Sequence, residues 1–158
     1  MGIVFKEWFS KKLGFSCKLV GFPEINPRPV EQSTKDQVSL ADGFPIIIIG
    51  RASLDDLNAR LETPVPMNRF RPNFVFDGGL PYEEDSWKDF TVGKNRFLGV
   101  RPCSRCVLTT VDQLTGEKGR EPLLTLSRYR KKEEHIYFGQ NVIAVDHNEI
   151  QEGDEITF

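Results

Sequence analysis

The chain has 158 residues, of which 39% are hydrophobic and 28% charged, and this length and composition suit one globular domain with a buried core. Its 21 basic and 23 acidic residues leave a net charge of -2, which argues against a general nucleic-acid-binding protein or a polybasic membrane-surface protein. The strongest apolar run, residues 44–49, is far shorter than the roughly 20 residues that span a bilayer. We therefore expect a single domain over residues 1–158, with no nucleic-acid partner and no membrane span.

The N-terminal region predicts a helix, a strand and a loop. Apolar side chains in residues 4–13 recur at helical spacing, and Gly14 is placed to end the helix. Residues 17–22 alternate as in a strand, and the proline-rich, polar residues 23–39 predict a long loop.

The first 17 residues mix lysines and a glutamate with aromatic residues, so they lack the uninterrupted apolar stretch of a secretory signal. This composition indicates a cytoplasmic location. We expect residues 1–40 to precede the core of the domain, which occupies residues 41–158.

The core begins with one strand and one helix. Residues 44–49 form a β-branched run between Gly43 and Gly50, which predicts a strand buried on both faces. Ser53 precedes acidic residues and apolar residues at helical spacing, so it is the predicted N-cap of a helix that continues to Leu61.

The remainder of the chain predicts short strands separated by glycine-containing turns, with a second short helix over residues 122–130. The predicted strands cover residues 74–76, 90–92, 96–102, 107–111, 142–145 and 155–158. Such punctuation is typical of an antiparallel barrel or sandwich. The predicted fold class is therefore mainly β, with a few short helices.

A polar cluster precedes the strand at residues 74–76. Asn68, Arg69, Arg71 and Asn73 place two guanidiniums and two amides within six residues. Arginine offers a planar fork of donors that matches phosphate or carboxylate, and asparagine adds donors at short range. A solvated surface loop is the alternative interpretation of such a cluster.

Two of the three cysteines lie in the segment Arg101-Pro102-Cys103-Ser104-Arg105-Cys106. The two arginines favour the ionised form of a nearby thiol, and a thiolate is a nucleophile or a soft-metal ligand. A reactive or metal-bound thiolate is one hypothesis. The other is a pair of partly buried cysteines at the edge of a strand.

Two familiar uses of paired cysteines fit poorly. A zinc site needs about four ligands, and beyond the pair the chain offers only Cys17, His135 and His147, in no familiar spacing. A thioredoxin-type pair starts a helix, whereas residues 107–111 are β-branched and predict a strand. Surface positions are expected for both histidines, and residues 138–141 alone indicate a turn with two amides.

Taken together and in this order, these segments resemble the MOSC domain family, in the branch that includes the mitochondrial amidoxime-reducing components and the bacterial 6-hydroxylaminopurine-resistance proteins. The resemblance covers nearly the whole chain. The segments that carry it are residues 42–45, 52–58, 68–73, 84–87, 103–110, 115–116, 138–140 and 153–154.

The resemblance implies a β-barrel-like domain that binds a molybdenum cofactor of the molybdopterin type. It implies Cys106 as the protein's thiolate ligand to the metal and as the catalytic residue, with Cys103 either packing in the core or supporting the metal's ligands. Further residues would hold the cofactor's phosphate and pterin: Arg71, Asn73, Ser104 and Arg105. Asn141, Gly43 and Phe44 occupy positions that line the pocket in relatives.

Relatives in this branch carry an N-terminal β-rich domain, which we expect to be absent here, and some continue into an iron-sulfur domain. Too few cysteines remain for such a cluster, so an external donor is expected, either a ferredoxin-like protein or a cytochrome or flavoprotein reductase. The resemblance implies a molybdenum-dependent reductase of N-hydroxylated small molecules, such as hydroxylamines, amidoximes or hydroxylated nucleobases. The alternatives are a non-catalytic carrier of cofactor or sulfur, and an isolated fragment that needs its missing domain.

Overall fold

The computed structural model describes residues 2–21, 28–30 and 43–158. Contacts divide the chain into two compact units, Met1–Ala41 and Asp42–Phe158, which are described separately. The predicted loop over residues 23–39 lies largely outside the described residues.

The first unit contains the predicted helix, α1 (Gly2–Leu13), which ends as expected at Gly14. Gly14 has a φ of +74° and donates its N–H to the Ser10 carbonyl at 3.0 Å. The strand predicted from Cys17 is wrong over the described residues 17–21. The Cys17 N–H instead donates to Ser10 Oγ at 3.0 Å, so the chain turns back onto the helix end, and Phe22 lies outside the described residues.

The second unit is built on one curled, half-barrel sheet, so the mainly β fold is confirmed. Its seven strands in the described residues are β1 (Ile46–Gly50), β2 (Phe74–Phe76), β3 (Asp89–Val92), β4 (Asn95–Ser104), β5 (Lys131–Lys132), β6 (His135–Ala144) and β7 (Ile156–Thr157). The strand order is β2-β1-β6-β4-β3-β7, with β5 paired to β6. Only the β1–β2 pair is parallel among these pairings.

Two short α-helices accompany the sheet in this unit, α2 (Arg51–Asn58) and α3 (Leu123–Ser127), and both were predicted approximately. The predicted N-cap of α2 is wrong, because the helix begins at Arg51 and Ser53 lies inside it. The Ser53 hydroxyl donates to the carboxylate of the buried Glu84 at 2.9 Å rather than capping the helix. No helix in the described part of the chain has the length and hydrophobicity to cross a membrane.

The strand predicted over residues 107–111 is also wrong. Val107–Thr110 is a 3-10 turn, one of three in this unit, with Met67–Phe70 and Glu83–Ser86. The Thr109 hydroxyl donates to the Cys106 carbonyl at 3.0 Å, and the Thr110 hydroxyl donates to the Val107 carbonyl at 2.8 Å. These local bonds stabilise a tight turn in residues whose β-branching suggests a strand.

The core lies on both faces of β1, as its uniformly apolar sequence predicts. Ile48 packs with Phe97 and Val142 on one face, whereas Ile49 packs with Phe70 and Phe138 on the other. Neighbouring side chains of a strand point to opposite faces, so one row of residues crosses the sheet on the Ile49 side. That row contains Asn141, one of the predicted site residues.

Candidate functional site

The thiol segment lies where β4 ends. Cys103 is 8% exposed, whereas Ser104 and Cys106 are both exposed. The alternation of a strand therefore buries the first cysteine and presents the serine, and the chain leaves the sheet before Cys106. The 3-10 turn from Val107 holds the Cys106 carbonyl, through Thr109, and leaves the thiol at the surface. Of the two motif cysteines, only Cys106 is placed to meet a ligand from solvent.

Arg105 connects this segment to two other parts of the unit. Its Nε donates to the Phe138 carbonyl at 2.8 Å, and its Nη1 donates to the Phe70 carbonyl at 2.9 Å. Its guanidinium also lies over the Phe70 ring, 5.5 Å from the ring centre. Arg105 thus fixes the positions of β6 and of the Met67–Phe70 turn relative to the thiol.

The charge of Arg105 is poorly compensated. Its Nη2 is buried and has no hydrogen-bond partner, and no carboxylate in residues 43–158 pairs with it. Burial lowers the pKa of Arg105 below its ordinary value, and the thiols of Cys103 and Cys106 act in the opposite direction. A buried cation of this kind favours a negatively charged group nearby, such as a thiolate or a phosphate.

Gly139 is the residue that allows Arg105 to lie against β6. It has a φ of +77°, and a Cβ atom there would lie 2.6 Å from Ile49 Cγ1 and 3.3 Å from Arg105 Nη2. Only glycine accepts this conformation and this close approach without strain. The segment at residues 138–141, which alone predicted only a turn, therefore shapes the site.

The arginine-rich cluster divides into a structural half and an accessible half. The Arg69 side chain is 13% exposed and its Nη2 pairs with Asp112 Oδ2 at 2.8 Å. Arg71 follows the turn in a left-handed conformation, with φ 51° and ψ 49°, and is exposed. Arg69 therefore fastens this segment, and Arg71 remains accessible to a ligand.

Asn73 joins β2 to β1 through both its backbone and its side chain. Its N–H donates to the Ile47 carbonyl at 2.9 Å, and its Oδ1 accepts the Ile47 N–H at 2.9 Å. These bonds occupy the side-chain oxygen and leave Nδ2 as the donor that Asn73 offers to a ligand.

The row across the sheet contains another predicted site residue, Asn141. Ile47 lies opposite Asn141, and Asn141 lies opposite Arg101, so the three side chains share one face. Asn141 is only 6% exposed, and no side-chain hydrogen bond joins it to another described residue. The Arg101 guanidinium lies over the ring of the buried Phe44, 5.0 Å from its centre, and Gly43 precedes that ring.

The segments that carry the eight predicted site residues are linked only through intervening residues such as Phe70, Ile47 and Arg101. The eight residues are Gly43, Phe44, Arg71, Asn73, Ser104, Arg105, Cys106 and Asn141. The sequence did not assign a role to His135, whose Nδ1 lies 3.2 Å from Ser104 Oγ. The packing of Arg101 on Phe44 was not predicted from the sequence either. Strand pairing creates both contacts, so no local sequence signal marks them.

A separate open cavity of about 860 Å³ lies elsewhere in this unit. Apolar residues such as Trp87 and Phe158 line it, together with several carboxylates, and Asn73 is the only predicted site residue on its wall. The cavity is therefore distinct from the surface around Cys106.

The donor residues on the segments that Arg105 joins fit an anionic cofactor held by one thiolate. No group of three or more histidine, cysteine or acidic side chains in the described residues could hold a bare metal ion. A metal at Cys106 would therefore have no cluster of further protein ligands among the described residues. Arg71, Ser104 and Asn73 are exposed residues with hydrogen-bond donors, and the Nη2 of Arg105 is buried without a partner.

Comparison with known proteins identifies relatives over most of the chain. The chain is 41% identical over 166 residues to mitochondrial amidoxime-reducing component 1 of Mus musculus, covering 95% of the chain and 49% of that protein. The protein of the same name from Homo sapiens is 41% identical over 154 residues, covering 88% of the chain and 46% of that protein. The chain thus spans about half the length of these relatives.

A second kind of relative is the molybdenum cofactor sulfurase of Oryza sativa subsp. japonica. It is 33% identical over 171 residues, covering 95% of the chain and 20% of that protein. The family model described as the MOSC domain matches residues 35–157. Because that match extends over most of the chain, this protein belongs to the MOSC domain family.

Proposed function

We propose that the chain is the molybdenum-cofactor-binding domain of a reductase that acts on N-hydroxylated small molecules. The observation that carries the proposal is the exposed Cys106 thiol beside the buried, uncompensated guanidinium of Arg105. The names of the amidoxime-reducing relatives support the substrate class. Hydroxylamines, amidoximes and hydroxylated nucleobases are the candidate substrates.

Each site residue has a proposed task. Cys106 would be the metal's protein ligand, since thiolates suit soft metals. Arg71, Ser104 and Asn73 Nδ2 would hold the phosphate and pterin, and Arg105 would contribute positive charge to the site. Asn141 and the segment from Gly43 to Phe44 would line the cleft.

The cofactor would supply the redox chemistry, and the protein would anchor and orient it. The chain's residues would bind the anionic cofactor, set its distance from the sheet and leave one side open to substrate. Electrons would come from an external donor, a ferredoxin-like protein or a cytochrome or flavoprotein reductase.

Turnover with an artificial donor tests this function. The chain, purified from a host that makes the molybdenum cofactor, is mixed with benzamidoxime and reduced methyl viologen, and benzamidine is quantified. We expect turnover in the unaltered chain and in Cys103→Ala, and none in Cys106→Ser. Equal turnover in Cys106→Ser would rule out the proposed ligand.

The similarity to molybdenum cofactor sulfurase favours a second candidate function. In that case the domain would carry cofactor or sulfur to another protein without reducing a substrate. Bound molybdenum with no benzamidine formation, and transfer of the cofactor to an apo-enzyme, would favour this alternative over the reductase.

A further inference from the structure

Ser104 and His135 form a polar contact at the edge of the candidate site. Ser104 Oγ lies 3.2 Å from His135 Nδ1, and both residues are exposed. Ser104 ends β4 opposite Tyr137, and His135 begins β6 two residues earlier, so both strands hold this contact in place. The imidazole thus joins bulk solvent to the segment that carries Cys106.

A hydroxyl bonded to an imidazole can pass on a proton. When His135 is neutral at Nδ1, that nitrogen accepts the Ser104 hydroxyl proton. When the imidazole is protonated, Nδ1–H donates to Ser104 Oγ, and the hydroxyl proton becomes available to a group on the other side. An imidazole has two ring nitrogens, so it can exchange a proton with solvent at one and with the Ser104 hydroxyl at the other.

We propose that His135 and Ser104 form a proton relay that supplies the protons consumed at the site. This inference rests on the proposed reductase function. Reduction of an amidoxime breaks the N–O bond and consumes two electrons and two protons. One proton ends on nitrogen to give the amidine, and the other joins the departing oxygen to give water. The external donor protein supplies the electrons, and solvent recharges the imidazole.

The surroundings of His135 suit a group that exchanges protons with water. The Tyr137 ring lies 6.1 Å away on the same face of β6. The charged residues on the elements around it are Lys131 and Lys132 of β5, Glu133 and Glu134 of the connecting turn, and Arg105 after β4. Both lysines and both glutamates are exposed, so their charges are screened by solvent.

The first test is the pair of variants His135→Gln and His147→Gln, made in the full chain loaded with cofactor. Both histidines are exposed, and only His135 contacts Ser104. General acid–base groups contribute about 100-fold or more to rates, and water partly replaces a relay, so we expect kcat at pH 7 to fall roughly tenfold in His135→Gln. We expect unchanged molybdenum content and KM, and no change in His147→Gln.

The dependence on pH separates a relay from a purely structural contact. We expect the pH profile of kcat to differ between the unaltered chain and His135→Gln, and added imidazole to restore part of the lost rate. A variant with the kcat and pH profile of the unaltered chain would overturn the relay while leaving the reductase function intact. Absence of both molybdenum and turnover in the unaltered chain would overturn the proposed function and the relay with it.

A measurement on the cofactor-free chain tests the contact itself. Nitrogen-15 NMR of the imidazole reports which ring nitrogen carries the proton, and Ser104→Ala removes the partner of Nδ1. We expect the Nδ1 signal of His135 to shift in Ser104→Ala and that of His147 to stay in place. An unmoved His135 signal would contradict the relay.

Discussion

Arg105 donates a hydrogen bond from Nη1 to the Phe70 carbonyl at 2.9 Å, and this bond ties the thiol segment to the segment that carries Arg71 and Asn73. The same guanidinium holds β6 through the Phe138 carbonyl. Three stretches that are distant in sequence thus meet at one side chain. This arrangement explains why a single arginine determines both the shape and the charge of the candidate site.

Arg105→Lys is expected to destabilise the fold. A lysine retains the charge but lacks the planar fork that reaches both carbonyls. Hydrogen bonds to charged donors contribute about 1.5–3 kcal/mol each, so we expect the free energy of unfolding to fall by roughly 2 kcal/mol. Urea unfolding of the variant measures the change, with the exposed Arg128→Lys as control. Equal stability of the two variants would contradict the structural role of Arg105.

Arg69 and Arg71 are expected to respond differently to the same substitution. Arg69→Met breaks the pair with Asp112, whose carboxylate also accepts the N–H groups of Leu114 and Thr115. We expect a loss of about 1–2 kcal/mol in the free energy of unfolding, because the pair is partly buried. Arg71→Met should change stability by less than about 0.5 kcal/mol, since the side chain is exposed.

The molybdenum content of the purified variants is a second measurement that distinguishes the two arginines. We expect Arg71→Met to lower it, because the proposed site loses a donor to the cofactor. An Arg71→Met variant that loses stability and keeps its full molybdenum content would reverse the assigned roles.

The buried Glu84 is expected to make stability depend on pH. Burial raises the pKa of Glu84 above its ordinary value, despite the hydrogen bonds from Ser53 and Gly50. Between the unfolded and folded pKa values the folded chain holds more protons, so this residue makes stability fall as pH rises from about 4.5. Above the folded pKa the full cost of the buried charge is present.

Glu84→Gln removes that charge. We expect the stability of Glu84→Gln, relative to the unaltered chain, to increase as pH rises from 4 to 8. Urea unfolding across this range measures the difference, and the exposed Glu117→Gln serves as control. A difference that decreases with pH would show that Glu84 is stabilised as a carboxylate, contrary to this account.

The Thr109 hydroxyl is expected to stabilise the turn that follows Cys106. Thr109→Val keeps the shape of the side chain but removes the hydroxyl that donates to the Cys106 carbonyl. A neutral hydrogen bond contributes about 1 kcal/mol, and we expect a loss of that size in the free energy of unfolding. Thr63→Val, at an exposed position, is the control. Equal free energies of unfolding in the two variants would contradict the proposed role of Thr109.

The sequence predicted the strand and helix positions best where hydrophobic periodicity alone decides them. Strands β1 and β2 follow from such patterns, and the glycine at position 14 predicted the end of α1. It failed at Val107–Thr110, because two hydroxyls bond to carbonyls within the turn, and at Ser53, because a distant carboxylate takes its hydroxyl. The roles assigned to the site residues, the single-domain organisation and the cytoplasmic location stay predictions.

For the site, the residue types indicated the chemistry but not which residues are structural and which are accessible to a ligand. Arg69 and Arg71 look equivalent in sequence, and only tertiary contacts show that Arg69 forms an ion pair with Asp112. Similarly, Asn73 appears as a free donor, although its Oδ1 is bound to the Ile47 N–H. The pairing of β4 with β6, which brings His135 to Ser104, depends on contacts between residues far apart in the sequence.

Molybdenum content of the purified chain tests the central claim most directly. The unaltered chain, Cys103→Ala and Cys106→Ser are produced together in a host that makes the molybdenum cofactor, and metal per protein is measured by elemental analysis. We expect near-stoichiometric molybdenum in the first two and almost none in Cys106→Ser. Equal molybdenum in all three proteins, or its loss only in Cys103→Ala, would contradict the assignment of Cys106 as the metal's ligand.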